Sequence, residues 1–128
     1  MPTYRELLAQ VRSEIDEIST ADLHGRLDDG DAPLVLDVRE PDEWQEGHVP
    51  GALHVPRGNL EARVEALVPD REREIAVICA GGSRSAFATK TLQELGYDRV
   101  VNVAGGFSDW KRNGFPFTTP RSLTPAQR

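Results

Sequence analysis

The chain has one cysteine in 128 residues, and that scarcity excludes an intramolecular disulfide framework. Its three histidines (His24, His48 and His54) share no CxxC- or HxxxH-type spacing with each other or with the thiol, so no metal or other cofactor is expected. Long hydrophobic runs are absent too: nothing approaches the roughly 20 apolar residues of a membrane span. The opening, MPTYRELLAQ, lacks the character of a secretory signal, so no membrane partner and a reducing cytoplasm are the expectation. Basic charge is outnumbered, 15 Lys and Arg against 21 Asp and Glu, for a net charge of −6. A nucleic-acid surface needs clustered cations, so nucleic acid is not an expected partner. Overall charge leaves room for a local positive site that takes a small anion.

What is present is an alternation of helix and strand patterns. Tyr4, Leu7, Leu8, Val11, Ile15 and Ile18 recur at three- and four-residue steps, which predicts an N-terminal amphipathic helix, with Thr3 and Glu6 at capping-box spacing. STADLHGRLDDG predicts a second helix, capped by Ser19 or Thr20 and stopped at Gly30. PLVLDV and EIAVICA are near-continuous apolar runs, as buried parallel strands are. DRVVNVAGG reads as another strand, and HVPGALHVP holds a short extended piece. Helices are expected in REPDEWQEG (Pro41 early, Gly47 at the end), in NLEARVEALVP, in SRSAFATKTLQELG and in FSDWKRNG. Leu60, Val64, Leu67 and Val68 should share one buried side, Phe87, Leu92 and Leu95 should face inward, and Trp44 and Trp110 read as core. The whole predicts a single α/β domain with a mostly parallel sheet.

The only thiol stands in CAGGSRS, residues 79–85, where a buried strand gives way to a helix. A lone cysteine is usually packing material. Here its neighbours have no bulk to pack and much to donate. Ligands of parallel α/β sheets bind beyond the carboxyl ends of the strands. Gly81 and Gly82 let the backbone curl so that amides converge, the helix starting near Ser83 adds its positive end, and Arg84 adds a planar fork of donors. These are the conditions that favour a thiolate nucleophile.

The loop resembles the active-site loop of rhodanese-like sulfurtransferases, whose pattern is Cys-x-x-Gly-x-Arg or a close variant. LVLDVREPDEWQEGHVPGALHVP and AGGFSDWKRNGFPF resemble the family's signature segments near the two ends of the domain. The resemblance implies a five-stranded parallel sheet flanked by helices over residues 18–117, after an N-terminal helix in 1–17 and before a tail or linker in 118–128. It implies transfer of sulfane sulfur, from thiosulfate or a persulfide, through a persulfide on Cys79. Ala80, Gly81, Gly82, Ser83, Arg84 and Ser85 map as the substrate-binding loop.

Arg57 and Asp37 are secondary candidates, Arg57 as extra charge beside the pocket and Asp37 as a residue at the active edge. A structural ion pair with Arg39 is the competing role for Asp37, and His48 reads as a hydrogen-bonded structural histidine. Two alternatives stay open: a non-catalytic binding module, and a cysteine-dependent phosphatase. The related phosphatases have five residues between cysteine and arginine, and here only Ala80 to Ser83 intervene. YRELLAQVRSEID and TPRSLTPAQR resemble the flanks of rhodanese domains fused to ubiquitin-activating-type adenylyltransferases. That likeness implies two protein partners, an adenylyltransferase and a sulfur carrier of the kind used in molybdopterin, thiamine or thiolated-tRNA synthesis.

Overall fold

The computed structural model describes residues 2–120. Five strands form one sheet: β1 (Asp16–Ile18), β2 (Leu34–Asp37), β3 (Leu53–His54), β4 (Ile75–Ile78) and β5 (Val100–Val103). Their spatial order is β1-β5-β4-β2-β3, and every neighbouring pair is parallel. The helices are α1 (Tyr4–Ser13), α2 (Thr20–Asp28), α3 (Pro41–Glu46), α4 (Leu60–Leu67), α5 (Ser83–Glu94) and α6 (Gly106–Arg112). A 3-10 turn at Arg57–Asn59 leads into α4. This is the α/β architecture expected, a five-stranded parallel sheet flanked by helices.

β4 is central, and its alternating side chains serve two cores. Ile75, Val77 and Cys79 join Leu36, Val38, Leu60, Val64, Ala88 and Leu92 under α4 and α5. Ala76 and Ile78 join Leu23, Val35, Val103, Phe107 and Trp110 under α2 and α6. Cys79 therefore points to the α5 side because it keeps step with Ile75 and Val77.

Four expectations need correction. Helix α1 has the predicted Thr3–Glu6 capping box but ends at Ser13, so Ile15 and Ile18 do not extend its stripe. Asp16–Ile18 instead pairs with Val101–Val103 as the fifth strand. Three residues carry no period-2 signal, and the open edge of β5 decides their conformation. Leu67 faces solvent while Leu60, Val64 and Val68 are buried. Trp110 is fully buried, but Trp44 is only half-buried and stacks on the rings of His48 and His54 at 3.4 and 4.6 Å. Lastly, the segment expected as a tail begins inside the fold. Thr118 exchanges backbone hydrogen bonds with His48, both 2.8 Å, and Thr119 Oγ1 donates to Gln45 O. Residues 121–128 of that segment lie outside the described residues.

Candidate active site

Cys79 follows the last residue of β4 and is 1% exposed. Three donors converge on its Sγ: the Gly82 amide at 3.1 Å, the Ser85 amide at 3.3 Å and the Ser85 hydroxyl at 3.2 Å. Ser85 is the third residue of α5, so its amide is one of the donors a helix N-terminus leaves without an intrahelical partner. The sulfur thus occupies the helix end as an anion would. Among the described residues the amides of Gly81, Ser83 and Arg84 have no acceptor, which leaves further N–H groups around the same turn.

The loop's shape rests on Gly82 more than on Gly81. Gly82 caps α5 at φ +101°, and a Cβ there would overlap Ala104 O. Gly81 meets nothing within 4 Å and carries no positive φ. The carbonyl side of the turn is tied down as well. Asn102 Nδ2, on β5, donates to Gly82 O at 3.1 Å and to Glu17 at 2.7 Å. From α6, the amides of Phe107 and Ser108 donate to Cys79 O and Ala80 O at 2.8 and 3.0 Å. That approach requires Gly106, at φ +66°, whose Cβ would strike Ala80 O. The AGGFSDW segment therefore clamps the loop from behind.

Arg84 does not face an empty site. Its Nη1 and Nη2 donate to Glu43 Oε1 and Oε2 at 2.7 and 2.9 Å, a forked ion pair with α3. The hydrogen bonds from Arg84 hold the Glu43 carboxyl at about 2, well below its ordinary 4.5, against an opposing effect of burial. The same bonds raise the Arg84 guanidinium further above its ordinary value. Glu43 Oε1 also accepts the Glu40 amide at 3.0 Å, so the carboxylate is anchored within its own helix start.

Neither secondary candidate hydrogen-bonds to the sulfur. Asp37 is fully buried and receives Arg39 Nε at 3.0 Å, Arg39 Nη2 at 2.8 Å and the Arg39 amide at 3.0 Å. Asp37 aligns with Ile78 in the sheet, so its side chain lies on the face opposite Cys79. Arg39 continues to Gly47 O at 2.7 Å, tying the end of β2 to α3: the ion pair is structural. Arg57 donates to Glu61 at 2.9 Å and to Thr91 at 3.1 Å, which pins the start of α4 to the later turns of α5. His48 has its Nδ1 3.1 Å from Trp44 O, in the structural role expected.

Three residues that contact the loop were not anticipated from sequence. Glu43 sits 41 positions from its partner, and Asn102 lies on a different strand from the loop it supports. Arg12, on α1, brings Nη2 to 3.3 Å from where a Gly82 Cβ would stand. Its only sequence signal is a basic residue in a helix's last turn, which dipole complementarity explains equally well.

A parallel α/β sheet that delivers one buried thiol from its central strand to a helix N-terminus defines a cysteine-centred α/β domain. The comparisons make the class particular: residues 19–113 match the family model described as Rhodanese-like domain, and the chain belongs to that family. It is 35% identical over 106 residues to the "Sulfurtransferase" of Allochromatium vinosum, covering 83% of this chain and 97% of that protein. It is 38% identical over 98 residues to the "Putative sulfur carrier protein YrkF" of Bacillus subtilis (strain 168), covering 77% of this chain. The match spans 52% of YrkF, about half its length. Among solved structures it resembles the "Protein of Unknown Function RPA3614, Possible Tyrosine Phosphatase" of Rhodopseudomonas palustris CGA009, with TM-score 0.83 and 30% identity. That likeness covers 92% of this chain and 99% of the other. Among the described residues no helix is long and apolar enough to cross a membrane.

Proposed function

We propose that the protein is a sulfurtransferase that carries sulfane sulfur as a persulfide on Cys79. The observation that carries this reading is the convergence of the Gly82 amide, the Ser85 amide and the Ser85 hydroxyl on Cys79 Sγ. A thiolate accepts all three bonds, and the remaining loop amides suit a second sulfur placed just beyond it. With thiosulfate, the Cys79 thiolate attacks the outer sulfur, the S–S bond breaks, and its electron pair leaves with sulfite. An acceptor nucleophile such as cyanide or a thiol then takes the outer sulfur and restores the thiolate. The thiolate is itself the nucleophile, so the attack step transfers no proton.

The names of the A. vinosum and B. subtilis relatives support sulfur chemistry over the alternatives. The name of the R. palustris neighbour supports a phosphatase, but only four residues separate Cys79 from Arg84, one fewer than in the cysteine-dependent phosphatases weighed from the sequence. In the cell we take the acceptor to be a thiol or a sulfur-carrier protein in the cytoplasm, the carrier being activated by an adenylyltransferase. This part draws on the likeness of the chain ends, and most of the closing one lies outside the described residues. Mass spectrometry after exposure to thiosulfate tests the core reading: one sulfur atom should be gained on Cys79, and none in Cys79→Ser. Hydrolysis of p-nitrophenyl phosphate without sulfur uptake would favour the phosphatase, and neither activity would favour a binding module.

A further inference from the structure

We infer that Glu43 sets the charge of the donor: by neutralising Arg84 it turns the loop from dianionic thiosulfate toward a thiol persulfide, R–S–SH. This rests on the sulfurtransferase reading above.

Arg84 is the only cationic side chain in residues 79–85. Both of its terminal nitrogens are engaged by both oxygens of one carboxylate, at 2.7 and 2.9 Å. Glu43 cannot simply follow Arg84 toward a ligand, because Oε1 is also held by the Glu40 amide. The helix that carries Glu43 is fixed in turn by Arg39, through Gly47 O at 2.7 Å. Arg39 itself is committed to Asp37. Arg12 brings its Nη2 to the Ala104 side of Gly82, where Gly82 is buried. A sulfonate entering beside Arg84 must therefore displace a forked, anchored carboxylate and then lie next to it. Like charges at such range raise the energy of the complex.

A persulfide avoids this. The Cys79 thiolate attacks the outer sulfur of R–S–SH, the S–S bond breaks, and the electron pair leaves on R–S⁻. Cys79 is left as the persulfide, its proton exchanging with water, and no net oxidation or reduction occurs. No dianion has to be bound or released beside Glu43.

The test compares thiosulfate with 2-hydroxyethyl persulfide as donors, cyanide as acceptor, in the wild type and in Glu43→Gln. Glutamine keeps an oxygen for the Glu40 amide while removing the charge. The wild type should favour the persulfide by at least about tenfold in kcat/KM, with little salt dependence. Glu43→Gln should raise kcat/KM for thiosulfate by about tenfold, and should move the persulfide value by less than about twofold. The gain should shrink as salt is added, since an exposed Arg84 charge is screened. A wild-type preference for thiosulfate overturns the inference whether or not the variant folds. So does a variant in which both donors change equally. A wild type that gains no sulfur on Cys79 from either donor overturns the sulfurtransferase reading itself.

Discussion

Cys79 and Ser85 form the smallest unit of the candidate site, since one residue supplies the sulfur and the other two of its three hydrogen bonds. Cys79→Ser should abolish thiosulfate:cyanide sulfur transfer and leave the thermal transition nearly unchanged, because the smaller hydroxyl still accepts from the same donors. Equal turnover would sink the persulfide mechanism. Ser85→Ala removes only the hydroxyl bond and should slow transfer by about tenfold, the worth of one hydrogen bond to a charged group. Glu43 adds a pH dependence whose sign is set by its depressed carboxyl, at about 2 against an ordinary 4.5. A lowered carboxyl contributes stability in full above the ordinary value, and that contribution is lost as pH falls towards about 2. Urea midpoints of wild type and Glu43→Gln should therefore converge over that window, the wild type losing more. Parallel curves would mean that the ion pair does not stabilise the fold.

At the scale of the element, the turn between β4 and α5 decides where the sulfur sits. Gly82 is held at φ +101° against Ala104 O, whereas Gly81 stands in open space. Gly82→Ala should cost about 1–3 kcal/mol and most of the transfer rate, while Gly81→Ala should change neither greatly. Thermal melts and steady-state rates on the pair check this, and two equally tolerant sites would remove Gly82 as the hinge of the cradle. Inserting one glycine between Gly82 and Ser83 widens the ring without adding a side chain. Transfer should fall on the order of 100-fold, the cost of displacing catalytic groups by about 1 Å. Protection of Cys79 from alkylation by phosphate should improve in the same protein, and equal protection in both would show that loop length is not what excludes phosphate.

Over the whole molecule, the site depends on groups that never touch the sulfur. The buried Asp37–Arg39 pair locks α3 to the sheet, and α3 presents Glu43 to Arg84. Asp37→Ala leaves Arg39, 4% exposed, without its counter-charge, and should destabilise by about 3–5 kcal/mol in denaturant titration. A loss below about 1 kcal/mol would mean that water reaches the guanidinium and that the pair is not a lock.

The sequence by itself determined the alternating architecture, because strand and helix periods are local properties of consecutive side chains. It also determined the address of the thiol, since CAGGSRS puts one cysteine, a tight turn and a helix start within seven consecutive residues. Even the Thr3 cap, a cap at Ser19 or Thr20 (the structure uses Ser19) and the Pro41 start of α3 were legible, each being a bond or constraint within four residues. Tertiary structure alone decided the rest. β1 is a strand only because β5 offers it an open edge. Thr118 is anchored only because His48 lies beside it. Asp37 faces away from Cys79 because the register sets it beside Ile78, and Arg84 is neutralised because folding brings α3 against α5. Each of these is a pairing between residues far apart in the chain, so its energy depends on a neighbour that local sequence does not specify.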